Sequence, residues 1–213
     1  RAAAGLRVLR PVRQRLPGRR ARPEDVREPE KTKSIFPILR TRGCVALIGV
    51  NTAHPSAPHL AVGSIGAGQM EKLEKILAQT AGSKLYRILL IHHPPAPGIV
   101  SWRKRLTDAA DLCSLLEQYG ADLVLHGHAH RTLQYDLPKP SGNIPVFGAP
   151  SISALGRTLE RRARYYLHRI KPGSDGYDVA LEVRIYAPEK NRFIRGKELK
   201  SNDKDLKSQC LSK

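Results

Sequence analysis

Two stretches decide how this sequence reads: Tyr86-Arg-Ile-Leu-Leu-Ile-His-His-Pro-Pro95 and Asp122-Leu-Val-Leu-His-Gly-His-Ala-His130. Each opens with an apolar run of strand length, the pattern of a strand buried on both faces, and each runs into histidines. Between them Ala109, Leu112, Cys113, Leu116 and Tyr119 recur at helical spacing. Thr107 stands as the N-cap of that helix, Asp108 and Asp111 occupy its first turns, and Gly120 stops it. Strand, loop, helix and strand predict a βαβ unit, two parallel strands joined by one right-handed crossover.

The same pattern extends outward. Cys44 to Val50 is a third apolar run. Met70, Leu73, Ile76 and Leu77 predict a helix over residues 67–80, with Ser64 and Gly66 as start signals. Ile144 to Gly148 gives one more short strand. Residues 163–170 and 177–187 predict a closing hairpin that turns through 172–176, with Tyr165, Leu167 and Ile170 set against Val179, Leu181, Val183 and Ile185. The fold class is therefore α/β with an antiparallel end.

The βαβ topology brings His92 and His93 to the same sheet end as His126, His128 and His130. Ligand sites of open α/β sheets lie at the carboxyl ends of the strands. A single histidine after a strand reads as a polar strand end. Two clusters at the two strand ends of one βαβ unit read as a metal site, because imidazole is a common ligand of borderline divalent metals. A cysteine-based zinc site is excluded: Cys44 and Cys113 read as core residues and Cys210 lies in a tail.

The chain has 213 residues and a formal net charge of +18. Residues 1–33 hold eleven basic and four acidic residues, and residues 189–213 hold eight and four. Most of the excess charge thus lies on the two ends, and the middle, 34–188, is the expected domain. This disfavours a nucleic-acid partner, which wants a basic face on the folded part. Few aromatics and no evident stacking platform argue the same way. The longest apolar run is Cys44 to Val50, far short of a bilayer span, and no apolar leader opens the chain, so a cytoplasmic location is expected. The Arg-, Ala- and Pro-rich opening reads as a disordered basic tail, with a transit peptide or an out-of-frame reading of GC-rich DNA as the other two readings. The chain opens on Arg1, as a fragment, a processed chain or a partial gene reading would. The stretch from Glu189 onward reads as a solvated, Lys-rich end.

His92-His93-Pro94-Pro95, Gly127-His128-Ala-His130 and Gly148-Ala-Pro-Ser151 resemble the second half of calcineurin-like metallophosphoesterases, and among these the cyclic-nucleotide-phosphodiesterase-like branch. The resemblance covers roughly residues 34–187. It implies the C-terminal part of a four-layer α/β/β/α sandwich with a dinuclear centre of divalent metals (Mn, Fe or Zn). By resemblance His92 and His128 bind one metal, His130 binds the other, and His93 stands behind the ligands or faces the substrate. A phosphate ester is the implied substrate, cleaved by a metal-activated hydroxide. The family pattern also needs D-x-H, G-D and G-N-H-[DE] upstream, and none of these occurs in residues 1–43. The expectation is a truncated phosphoric ester hydrolase that lacks the first half of its metal site and has apolar sheet faces uncovered.

Two other readings stay open: a catalytically inactive α/β module, and a basic nucleic-acid-binding protein or nuclease. Ser151 lacks the G-x-S-x-G elbow of a serine hydrolase, and Gly63-Ser-Ile-Gly-Ala-Gly68 lacks the G-K-[ST] of a P-loop. Asn51 reads as a turn residue after its strand. An exposed sheet edge in a half-domain would favour association. Substrate, metal identity and oligomeric state are not legible.

Overall fold

The computed structural model describes residues 35–196. The expectations for residues 1–33, and for the end of the chain beyond 196, lie outside these. Nine strands and two α-helices follow in order among the described residues: β1 (Ile38–Arg42), β2 (Val45–Gly49), α1 (Ala67–Ala81), β3 (Tyr86–Ile91), α2 (Ala109–Tyr119), β4 (Leu123–His126), β5 (Leu133–Lys139), β6 (Gly142–Gly148), β7 (Arg164–Gly173), β8 (Gly176–Ala187) and β9 (Arg192–Arg195). The fold is mixed α/β.

Six strands form one sheet in the order β1-β2-β3-β4-β6-β5. β2, β3, β4 and β6 are mutually parallel, and β1 and β5 close the two edges antiparallel. The expected βαβ unit is β3-α2-β4, and a second such unit, β2-α1-β3, precedes it. Ile48, Leu89, Val124 and Val146 are register partners across the four parallel strands, and all are fully buried. Against this row pack Leu73 and Leu77 of α1 and Leu112 and Leu116 of α2, the apolar stripes of the two amphipathic helices. Both helices lie on one face.

The opposite face of the sheet alternates with the first, as the period of two requires. Its residues Tyr86, Ile88, Leu123 and Phe147 are buried against Tyr166, Ile170, Tyr177 and Leu181 of a three-stranded antiparallel sheet, β7-β8-β9. Tyr86 and Tyr177 meet edge to face at 5.4 Å, and Phe147 and Tyr166 at 5.4 Å. This cover stops over β1 and β2 and at the carboxyl end of β3. Leu47 and Leu90 are 39% and 36% exposed there and border a trough of about 590 Å³ that runs from Phe36 and Ile38 to His92 and His126. The outer helical layer that the resemblance implies on this side has no counterpart among the described residues.

Several elements differ from the sequence expectation. β1, β5 and β9 are additions. β1 reads Ile-Leu-Arg-Thr-Arg and is mostly exposed, so an edge strand carries no apolar run. β5 alternates Leu133, Tyr135 and Leu137 but contains Pro138, which an edge strand tolerates. β9 lies inside the stretch read as a solvated end. In the hairpin, the inward residues of β7 are Tyr166, His168 and Ile170, not Tyr165 and Leu167; Leu167 is 39% exposed. The ring contacts of Phe147 with Tyr166 and His168 fix that register.

The start of α2 also differs. Asp108, not Thr107, is its N-cap residue, and Asp108 makes no side-chain cap bond to its own helix. Its carboxylate instead accepts the backbone N–H groups of Ile65 and Gly66 at 2.8 Å each and the Ser64 hydroxyl at 2.9 Å. It therefore satisfies donors that lead into α1, whose own N-cap, Gly66, has no side chain to do so. Thr107 Oγ1 donates to the Gly63 carbonyl at 3.0 Å, tying the same two segments together. Replacing Asp108 with alanine is expected to cost about 2–3 kcal/mol, because three donors lose a charged acceptor at once. Urea unfolding checks this, and Asp108→Asn, which keeps one acceptor oxygen, is expected to lose less.

Candidate metal centre

β3 and β4 end side by side, with Ile91 opposite His126. The Gly127 N–H donates to the His92 carbonyl at 3.1 Å, which extends the pairing one step past the strands. The chain then turns: His128 and His130 both have left-handed backbone, φ 61° and 51°. Such values are uncommon for a residue with a Cβ, and here the turn aims the His128 ring back at β3.

Three imidazoles converge as a result. His92 Nε2 and His128 Nδ1 lie 3.2 Å apart. The ring centroids of His92 and His93 are 5.1 Å apart, those of His92 and His128 5.0 Å, and those of His93 and His128 4.1 Å. His130 is exposed, and no hydrogen bond or ring contact joins it to these three among the described residues.

His93 is clamped. Its Nδ1 lies 2.7 Å from the Thr52 hydroxyl and its Nε2 lies 3.2 Å from the Ala61 carbonyl. A carbonyl can only accept, so Nε2 carries the proton and Nδ1 accepts from Thr52. Both nitrogens are thereby engaged, which leaves His93 to position its neighbours. Burial is the main cause that lowers its pKa below the ordinary histidine value, so it stays neutral. Gly63 closes over this ring; a Cβ there would collide with His93 Nδ1 and with the Thr52 carbonyl. Thr52, Ala61 and Gly63 were not singled out as site residues. Thr52 is 1% exposed just past the end of β2, and a buried threonine after a strand gives no local sign of its partner 41 residues on.

Burial also pushes the pKa of His126 down to about 4, and the nearby His128 and His92 rings add to the effect. His128 is pushed down to about 4 as well, first by burial and then by His93 and His92. At neutral pH these rings are neutral and hold lone pairs. His128 Nε2 is buried and has no hydrogen-bond partner among the described residues. Asn51 makes turn contacts only: its side chain accepts from Ala53 N–H at 3.0 Å, and its backbone exchanges bonds with Gln69.

The fit to a metal can be judged from these distances. Two nitrogens on one tetrahedral zinc, each at about 2.05 Å, stand about 3.3 Å apart. The separation of His92 Nε2 from His128 Nδ1, 3.2 Å, matches that edge. No third ligand joins them: no group of three or more His, Cys, Asp or Glu among the described residues could hold a metal ion. The described residues thus offer one edge of a coordination sphere and do not fit a complete centre.

No helix among the described residues is long and apolar enough to cross a membrane. No protein-family model and no curated protein matches the chain. Among solved structures it resembles a dimetal phosphatase from Danio rerio, with 12% identity over 58% of this chain, at a TM-score of 0.38. The match spans 32% of that protein. A likeness this slight carries no argument, so any assignment rests on the residues themselves.

Proposed function

We propose that this chain carries the histidine wall of a metal-dependent phosphoric ester hydrolase, with the remaining ligands supplied from outside residues 35–196. The observation that carries this reading is the 3.2 Å approach of His92 Nε2 to His128 Nδ1 at the carboxyl ends of two adjacent parallel strands. His92 and His128 would hold one side of a divalent metal, which, once the other ligands complete its sphere, would supply a lowered pKa for bound water and charge neutralisation at the phosphoryl oxygens. His92 Nε2 and His128 Nδ1 would offer imidazole nitrogen donors to it. His93, clamped by Thr52 and Ala61, holds the His128 ring in place. The apolar trough beside His92 suits the organic part of an ester, whether a phosphodiester or a phosphomonoester.

The test is hydrolysis of a chromogenic phosphodiester by the 213-residue chain with and without Mn²⁺, beside His128→Ala and with zinc binding followed in parallel. Mn²⁺-dependent turnover that falls at least about 100-fold in the variant means that this chain completes the centre. No turnover, with zinc binding that still needs His128, means that the missing ligands lie on other polypeptide. Loss of neither turnover nor metal binding in His128→Ala contradicts the proposal.

A further inference from the structure

β3, β4 and β6 run parallel side by side, so the loops that follow them, residues 92–106, 127–132 and 149–163, leave the same end of the sheet. Arg131 and Thr132 tie the three together. Arg131 Nη2 donates to the Ile99 carbonyl at 3.2 Å. The Thr132 N–H and hydroxyl donate to the Glu160 carbonyl at 2.7 and 3.0 Å. The third loop is also pinned at its base: the Ala163 N–H donates to the Ala154 carbonyl at 2.7 Å, and the buried Arg164 donates through Nη2 to the Leu159 carbonyl at 2.6 Å. Large apolar side chains on these anchored loops nevertheless stand in solvent. Trp102 and Leu155 are 61% and 69% exposed, and Ile152 and Leu159 are exposed with them.

The same loops are strongly basic. They carry seven Arg or Lys residues against one acidic residue, Glu160. The Glu160 carboxylate is already engaged by its own backbone, by Thr158 and by the charge of Arg164. Arg103, Lys104, Arg131, Arg157 and Arg161 are exposed, and the Arg103 guanidinium lies over the Trp102 ring, 5.4 Å from its centroid. Apolar tips set among cations, with an indole between them, suit the interface of a bilayer: the tips enter the boundary of headgroups and acyl chains, and the cations meet anionic headgroups. A nucleic-acid strand would use the charge but not the tips. It stacks its bases on aromatic rings, and Trp102 is the only Phe, Tyr or Trp on the three loops. Ile152, Leu155 and Leu159 offer no stacking face.

We propose that this end of the sheet docks on a bilayer surface containing anionic phospholipid, with Trp102, Ile152, Leu155 and Leu159 entering the interface and the surrounding Arg and Lys side chains meeting the headgroups. The surface needs no metal and stands apart from the reading of His92 and His128 as ligands.

Trp102 is the sole tryptophan of the chain, so its emission reports on this surface alone. The test titrates the full chain, in EDTA and at physiological ionic strength, with vesicles of phosphatidylglycerol and phosphatidylcholine. Pure phosphatidylcholine vesicles and a single-stranded oligonucleotide are the other two arms. The mixed vesicles are expected to shift Trp102 emission to the blue, and doxyl-labelled lipid is expected to quench it. Pure phosphatidylcholine should bind at least about tenfold more weakly. Leu155→Glu and Arg157→Glu change exposed side chains, and each should weaken binding to the mixed vesicles at least about tenfold while the urea midpoint stays in place. Vesicle binding that leaves Trp102 emission unmoved assigns the contact to other basic parts of the chain and overturns the proposal. Absence of vesicle binding overturns it, as does full-strength binding in both variants. Saturable quenching of Trp102 by the oligonucleotide, with no blue shift on vesicles, assigns the surface to nucleic acid and overturns it equally.

Discussion

Leu89→Ala is expected to cost about 3–5 kcal/mol, a large part of the stability of a domain this size. Leu89 is fully buried at the centre of the row Ile48, Leu89, Val124 and Val146. Strands flank it on both sides and α1 and α2 cover it, so the space left by truncation has no loop or surface to relax into. The next residue supplies the control. Leu90 points to the opposite face and is 36% exposed at the trough. Leu90→Ala is expected to cost less than about 1.5 kcal/mol, because little burial is lost. Urea unfolding of the two variants decides the matter: the midpoint should fall far more for Leu89→Ala, with similar slopes. Equal losses would mean that the two faces are equally buried, contrary to this fold.

Acid is expected to destabilise the protein between pH 6.5 and pH 4, mainly through His126. Burial holds its pKa near 4 in the folded state, against 6.5 for an ordinary histidine. Between these values the unfolded chain binds the proton and the native state does not, so stability rises with pH across the window and falls as pH drops. Above pH 6.5 both states are neutral, and the term contributes no slope. The full difference corresponds to about 3 kcal/mol for His126. His128 shifts in the same direction, but it is more open to solvent, which screens its share. His93 adds to the same slope. Unfolding free energies measured from pH 7.5 to pH 4 test this. His126→Gln should flatten the curve in that window, and an unchanged slope in the variant would remove His126 as its source.

The strands with apolar runs were legible. The runs that begin at Cys44, Tyr86 and Asp122 became β2, β3 and β4, because a strand buried on both faces has little choice of composition. The helical stripes of α1 and α2 were equally plain. The edge strands were not, since exposure lets β1 carry arginines and β5 carry a proline. Long-range polar partners were also hidden. Asp108 sits where a helix start is expected, yet its carboxylate serves the segment entering α1, 42 to 44 residues earlier in the chain. The convergence of His92, His93 and His128 followed from the βαβ topology, whereas the clamp on His93 by Thr52 did not. Arg164 stayed hidden for a similar reason. In the stretch Arg164-Tyr-Tyr-Leu-His-Arg169 an arginine at a strand start reads as solvated, and only the packing of β7 under Phe147 and beside Leu159 shows it buried.

The most direct measurement is a zinc titration of the full chain followed through the imidazole ¹⁵N resonances. One ion per chain is expected, with the signals of His92 Nε2 and His128 Nδ1 moving together while both nitrogens of His93 keep their hydrogen-bonded shifts. His92→Ala and His128→Ala should each weaken binding at least tenfold, about 1.4 kcal/mol. Zinc binding that leaves both resonances in place, or that persists at full strength in both variants, would contradict a metal-binding role for the paired strand ends.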